Sequence, residues 1–168
     1  MNVGTNSNTL SGSRRKNSCG FRYQERGMPL INFGSILNFS IELETLDEQF
    51  YTAALNNPAS AAQKSVFEQC LNDCKKNQKI LQRTRRENVT EMILENISDF
   101  TRAPFVIETR NPDGMNGQEV LEMAGKLEER AENYYLQAAE KMKAQSEVAR
   151  ILKQVAKKRT AHRNSLAG

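Results

Sequence analysis

The chain has 168 residues, of which 38% are hydrophobic and 26% charged, with four prolines and no tryptophan. This length and composition fit one domain with a single hydrophobic core, and they favour a helical protein over a disordered or all-β one. No stretch approaches the ~20 consecutive apolar residues that a membrane-spanning helix needs, so no membrane association is expected.

The formal net charge of +4 lies in the first 27 residues. Residues 1–27 hold five basic residues and one acidic residue, whereas residues 28–168 hold 19 of each sign. We therefore expect a flexible basic arm over 1–27, with Met28 as a candidate translation start, and an ordered domain over 28–168. A short basic cluster has little specificity, so nucleic-acid binding is not expected.

The location of the protein is predicted from two features of the sequence. The first 27 residues lack the apolar core of a secretory signal. The three cysteines are odd in number and do not have the spacing of a disulfide framework. Both features indicate a reduced, cytoplasmic protein.

The first predicted helix covers about 32–55 and carries a glutamate and a tyrosine on its inner face. Helical spacing places Glu44 and Tyr51 on this face together with Leu37, Ile41 and Leu55. A carboxylate on a buried stripe is costly unless it is paired, hydrogen-bonded or bound to a cation. The sequence Asn56-Asn57-Pro58 ends this helix and caps the next one.

The second predicted helix covers about 59–87. Its inner face holds two cysteines and an asparagine among apolar residues: Phe67, Cys70, Leu71, Cys74, Asn77 and Leu81. Two cysteines four residues apart can contribute to a soft-metal site, but only with further ligands of matching softness. The alternative is that both are small buried apolar side chains.

The connection from about 88 to 116 is long and partly apolar. We expect it to pack along the helices, with a short helix over Val89–Ser98, and to cross from one end of the domain to the other. The predicted fold is therefore all-α, with two helix hairpins joined by this crossover.

The third predicted helix, about 117–143, repeats the pattern of the first. Its heptad positions are Leu121, Ala124, Glu128, Ala131, Tyr135, Ala138 and Met142, so that a glutamate is again followed seven residues later by a tyrosine. A one-position error in register would instead expose Glu44 and Glu128. The fourth predicted helix, about 146–166, brings an arginine and the single histidine inward with Val148, Leu152, Val155, Arg159, His162 and Leu166.

Two hairpins joined by a crossover, with Glu-x6-Tyr on the first helix of each, resemble the ferritin-like superfamily and in particular its rubrerythrin-like branch. The resemblance covers about residue 32 to the C-terminus and implies a four-helix bundle. It also implies a pair of iron ions held by one Glu from each of two helices and a Glu-x-x-His pair from each of the other two.

Three of the six implied ligand positions are matched and three are replaced. Glu44, Glu128 and His162 match, and Tyr51 and Tyr135 would lie beside them, outside the ligand shell. The replaced positions hold Cys74, Asn77 and Arg159. An arginine is always charged and its fork of donors suits carboxylates, so we expect Arg159 to pair with Glu128, Glu44 or both in place of the metal.

Two functions follow as alternatives. In the first, the protein is a non-catalytic helical scaffold or interaction protein that has lost the di-iron centre and needs no cofactor. In the second, it is an iron-dependent oxidoreductase or peroxide-handling protein, with iron or another divalent metal bound by Glu44, Glu128 and His162, helped by Glu48 or Asp73. No catalytic residue can be named, and the partner protein is unknown. The resemblance also implies a homo-oligomer, such as a dimer, with an interface covered by apolar residues of 88–116.

Overall fold

The computed structural model describes residues 27–88 and 96–168. Four long helices account for most of these residues: α1 (Phe33–Asn56), α2 (Lys64–Glu87), α3 (Gly117–Lys141) and α4 (Ser146–Ala167). Within the two ranges there is no β-strand, and an isolated antiparallel bridge joins Pro29 to Thr101. The prediction of an all-helical chain is confirmed. None of the described helices is both long and apolar enough to cross a membrane.

Side-chain caps begin the first and third helices. At α1, Asn32 Oδ1 accepts from the Ser35 backbone N–H at 2.8 Å, and Ser35 Oγ accepts from the Asn32 N–H at 3.1 Å. Asn116 and Glu119 form the same reciprocal pair at α3, at 3.0 and 2.9 Å. Such capping boxes satisfy backbone donors that a helix leaves without internal partners, and they fix where each helix starts.

The predicted helix boundaries hold to within two residues except at two places. The second helix starts at Lys64, and Pro58–Gln63 forms a 3₁₀ helix instead. Asn57 fixes this turn, because its side chain accepts from the Ala59 N–H and donates to the carbonyls of Pro112 and Met115. The predicted short helix over Val89–Ser98 falls mostly on residues 89–95, outside the described ranges, and residues 96–98 are not helical.

The helices pack most extensively as two pairs, α1 with α2 and α3 with α4. Smaller contacts join α2 to α4 and α1 to α3. Several residues that the sequence places on inner faces lie at the edges of these contacts and are partly buried: Ile41, Leu55, Leu71, Leu121 and Leu166.

The apolar core consists of two clusters separated by a polar layer. One cluster includes the start of α1 and of α4 and the ends of α2 and α3, for example Phe39, Leu81, Tyr134 and Leu152. The other includes the opposite ends, for example Phe50, Phe67 and Val120. The layer between them, which we call the polar layer, consists of Glu44, Asp47, Asn77, Glu128, Arg130, Arg159 and His162. The order of these residues along each helix shows that α1 and α4 run in one direction and α2 and α3 in the other.

The connection from 96 to 116 packs against the first cluster and then reaches the second. Phe100 and Phe105 are buried against the Tyr134 ring, with ring centroids 5.9 and 5.1 Å from it, and Met115 belongs to the second cluster. Arg102 Nη1 pairs with Glu42 Oε2 at 2.7 Å. The buried apolar residues of this segment therefore pack into the chain's own core.

Candidate functional site

Arg159 is the centre of the polar layer. The side chain is fully buried, and its guanidinium contacts carboxylates from both hairpins. Nη1 lies 3.0 Å from Glu128 Oε1 on α3, and Nη2 lies 2.7 Å from Glu44 Oε2 on α1. Nη2 also lies 3.1 Å from Asp47 Oδ2. Arg159 thus bridges the two glutamates named from the sequence and a third carboxylate.

The repeated glutamate and tyrosine form reciprocal hydrogen bonds between α1 and α3. Tyr51 on α1 donates its hydroxyl to Glu128 Oε1 on α3. Tyr135 on α3 donates its hydroxyl to Glu44 Oε1 on α1 at 2.7 Å. All four side chains are fully buried, which excludes the register in which the two glutamates would face solvent. Each tyrosine therefore stabilises the carboxylate of the other hairpin.

Asp47 and Arg130 form a second ion pair in the polar layer that the sequence analysis missed. Arg130 Nη2 contacts Asp47 Oδ1, and the two side chains are 5% and 0% exposed. The helical spacing of the sequence does indicate that Asp47 is buried. Asp47 lies four residues after Leu43 and three before Phe50, and these three residues form a stripe next to the predicted inner face of α1. Arg130 likewise lies between Leu127 and Tyr134, both buried.

The residues at the other two replaced ligand positions also belong to this network. Asn77 Nδ2 donates to Glu44 Oε2 at 3.3 Å, and its Oδ1 accepts from Lys158 Nζ at 3.3 Å. Cys74 Sγ accepts from Arg159 Nη2 at 3.5 Å. All three residues at replaced positions therefore contact Glu44 or each other.

His162 lies at the edge of the layer, between two carboxylates. Its Nε2 is 3.0 Å from Asp73 Oδ2 on α2, and its Nδ1 is 3.4 Å from Glu128 Oε2. Of the two residues proposed as helpers, Asp73 is therefore in place beside His162. Glu48 instead accepts a hydrogen bond from Gln78 Nε2, outside the polar layer.

The ionisation of the layer follows from burial and from its opposite charges. Burial alone would raise the pKa of Glu128, but Arg159, His162 and Tyr51 outweigh it and hold that pKa below its ordinary value. Burial would lower the pKa of Arg159, yet Glu128 and Glu44 raise it well above its ordinary value. Burial raises the pKa of Asp47 to about 6, because Arg130 and Arg159 offset only part of the desolvation.

The pKa values of His162, Tyr51 and Tyr135 are raised, so these side chains keep their protons at neutral pH. Burial would lower the pKa of His162, but the facing Cys70 and Glu128 side chains raise it to about 10. Burial and the neighbouring carboxylates raise the pKa of Tyr51 and of Tyr135 well above the ordinary value. The tyrosines are therefore hydrogen-bond donors at neutral pH.

The buried charges of the layer balance at neutral pH. Three carboxylates (Glu44, Asp47 and Glu128) face two guanidinium groups (Arg130 and Arg159) and the protonated ring of His162. Ions taken out of water are tolerated only when they are paired and hydrogen-bonded, and each of these has such a partner. Chemically, the arrangement is a charge-balanced ion-pair network.

No family model, curated protein or solved structure gives a significant match to this chain.

Proposed function

We propose that this chain is a ferritin-like, rubrerythrin-related four-helix bundle that has lost its di-iron centre and acts as a non-catalytic helical scaffold or interaction protein. Two helix hairpins, joined by a crossover over about 88–116, make up the bundle. The directions of the four helices and the path of residues 96–116 support this topology.

The observation that carries the proposal is the fully buried Arg159 in contact with Glu44, Asp47 and Glu128. In a di-iron protein the carboxylates are neutralised by metal cations. Here a guanidinium contacts Glu44 Oε2 and Glu128 Oε1, and a metal ion bound to these same two oxygens would be repelled by it. Arg159 thus supplies the positive charge that iron supplies in ferritin-like di-iron proteins.

Metal content tests the proposal directly. Protein expressed with added iron and manganese is expected to contain neither at near-stoichiometric levels, measured by elemental analysis after purification. Glu44→Gln is the informative variant, because it removes one carboxylate charge without changing the shape of the side chain. Iron or manganese at about one or two ions per chain, lost in Glu44→Gln, would contradict the proposal.

Such a result would favour the second candidate, an iron-dependent oxidoreductase or peroxide-handling protein using Glu44, Glu128 and His162. The 3.4 Å approach of His162 Nδ1 to Glu128 Oε2 is the observation in its favour. Against it, both oxygens of Glu44 are already engaged by Tyr135, Asn77 and Arg159. Self-association into a dimer and a cytoplasmic location remain proposals, and sedimentation analysis of the purified chain tests the first of them.

A further inference from the structure

Three side chains of different chemistry converge at the edge of the polar layer, each from a different helix. Cys70 on α2, Glu128 on α3 and His162 on α4 each offer one ligand atom, and these atoms lie within 4.8 Å of one another. All three residues are buried. Cys70 is not one of the replaced ligand positions, so this group differs from the iron site that the resemblance implies.

Within residues 27–88 and 96–168, two atoms of this group have no hydrogen-bond partner. Glu128 Oε2 and His162 Nδ1 are buried and 3.4 Å apart, yet no hydrogen bond of ordinary geometry joins them. The other atom of each side chain is engaged: Glu128 Oε1 by Arg159 and Tyr51, and His162 Nε2 by Asp73. Both atoms can therefore take up a ligand once the His162 ring has lost its Nδ1 proton.

We propose that Cys70, Glu128 and His162 form a mononuclear binding site for a borderline-soft divalent ion of the Zn²⁺ type. A thiolate, an imidazole and a carboxylate are the three donor types that zinc uses in proteins. Three protein ligands leave a fourth position for water. The thiolate makes the site unlike one for Mg²⁺ or Ca²⁺, which take oxygen ligands.

The spacing of two of the ligand atoms fits a tetrahedral ion, and the thiol lies within 4.8 Å of both. With metal–ligand distances of about 2.0–2.3 Å, two ligands of such an ion lie roughly 3.3–3.8 Å apart. The Glu128–His162 pair already has this spacing at 3.4 Å. Asp73 holds the opposite ring nitrogen of His162 at 3.0 Å, the carboxylate–histidine arrangement that orients metal-bound histidines.

The positive charge of Arg159 does not exclude this ion, because the exchange leaves the charge of the layer unchanged. Arg159 contacts Glu128 through Oε1, whereas the proposed ligand is Oε2. Binding a divalent ion displaces one proton from the Cys70 thiol and one from the His162 ring, since both must ligate in deprotonated form. Two positive charges enter and two leave. The site therefore coexists with the ion-pair network and goes beyond the proposed function.

Titration with Co²⁺, a spectroscopic substitute for Zn²⁺, tests the proposal. The parent protein is the untagged full chain carrying Cys19→Ser, which removes the third thiol, freed of metal by chelation. We expect one equivalent of Co²⁺ to bind with a thiolate-to-cobalt charge-transfer band, and Zn²⁺ to displace it. Cys70→Ala should abolish the band. Cys74→Ala is the matched control and should retain it, because Cys74 contacts Arg159 and is not one of the three proposed ligands.

Two further variants separate this proposal from the others. Asp73→Asn should weaken Co²⁺ affinity by about 10–100-fold, the usual effect of losing an orienting partner. Glu44→Gln should leave the cobalt band intact, so an iron result that contradicts the proposed function leaves this site untouched.

If Cys70→Ala does not give a native circular dichroism spectrum, Cys70→Ser replaces it, since serine keeps the shape of the cysteine side chain. Absence of the band in the parent protein, or its persistence in the Cys70 variant, would overturn the proposal.

Discussion

Arg159 joins carboxylates of two helices by hydrogen-bonded ion pairs. Its planar fork reaches two helices at once, through Nη1 to Glu128 and Nη2 to Glu44. A lysine has a single charged nitrogen and cannot make this pair of contacts in the same geometry. The buried position of the guanidinium makes its removal far more costly than the loss of an exposed arginine.

Arg159→Ala is expected to lower the free energy of unfolding at pH 7 by about 3–5 kcal/mol, because it removes the guanidinium that faces three buried carboxylates and leaves Glu44 without its cationic partner. Urea denaturation measures the change. The control is Arg150→Ala on the same helix: Arg150 is 57% exposed and pairs with Glu147, so its loss should cost less than about 1 kcal/mol. Equal effects of the two substitutions would show that the buried network contributes no special stability.

His162 gives the protein a stability that falls with rising pH. Its folded pKa of about 10 lies above the ordinary 6.5, so the folded state holds this proton more tightly. The contribution is complete below pH 6.5 and is lost as the pH rises towards 10. Between pH 6.5 and 8.5, above the pKa of Asp47, we expect a loss of about 2 kcal/mol, since a full proton difference gives about 1.4 kcal/mol per pH unit and the difference rises from one half to nearly one proton over this window.

Urea denaturation in the presence of a chelator at several pH values in this window measures that slope. The groups facing the ring are Cys70 and Asp73 on α2 and Glu128 on α3. His162→Gln keeps a polar side chain without a titrating ring, so its slope should be close to zero. A wild-type slope as flat as that of the variant would mean that the ring is neutral in the folded state.

At the level of residues, the sequence predicted the contacts among side chains on the main inner face of each helix, which the helical periodicity defines. Glu44, Glu128 and Arg159 occupy such stripes, and charge complementarity paired them. Asp47 and Arg130 were missed because each lies on a second stripe beside the first. The approach of Cys70 to His162 depends on side-chain rotamers across two helices, which a periodicity does not contain.

At the scale of the helices, the start of α3 packs closely against the turn before α2. A Cβ added at Gly117 would lie 2.4 Å from the Ala59 carbonyl oxygen, in the 3₁₀ turn before α2. Gly117→Ala should therefore lower the free energy of unfolding by about 1–3 kcal/mol, as overpacking does. Gly125 on the same helix has no atom within 4 Å of an added Cβ. Gly125→Ala should raise stability by about 0.5–1 kcal/mol through helix propensity.

Thermal or urea unfolding of the two glycine variants measures whether the free energy of unfolding falls in Gly117→Ala and rises in Gly125→Ala. A neutral result at Gly117 would show that the turn at Ala59 moves freely.

The starts of α1 and α3 could be predicted from their capping residues, Asn32 and Asn116. The delayed start of α2 at Lys64 could not, because it depends on Asn57 contacting Pro112 and Met115, which are distant in sequence.

For the whole molecule, the length of the 88–116 connection predicted a passage from one end of the domain to the other, and residues 96–116 pack first against one apolar cluster and then against the other. The division of the core into two apolar clusters was not predicted, since the heptads of α1 and α3 run through the polar layer without a break. The division becomes visible only when the positions of Glu44, Asn77, Glu128 and Arg159 are aligned across four helices.

Native-state hydrogen exchange is expected to report a single opening event for all four helices. Tyr51→Phe removes a hydroxyl on α1, but its partner Glu128 is on α3. It should therefore lower the protection of slow amides in α3 and α4 as much as in α1 and α2, by about 1.5–3 kcal/mol. A loss confined to α1 and α2 would indicate two separately unfolding halves.

The reciprocal exchange of tyrosine hydroxyls has a consequence for how the chain reaches its native state. A hairpin formed alone would lack the donor for its own carboxylate: Glu44 would lack Tyr135, and Glu128 would lack Tyr51. We therefore expect neither half to be a stable folding intermediate. We expect the two hairpins to become native together when they dock, because each carries a hydrogen-bond donor for the carboxylate of the other.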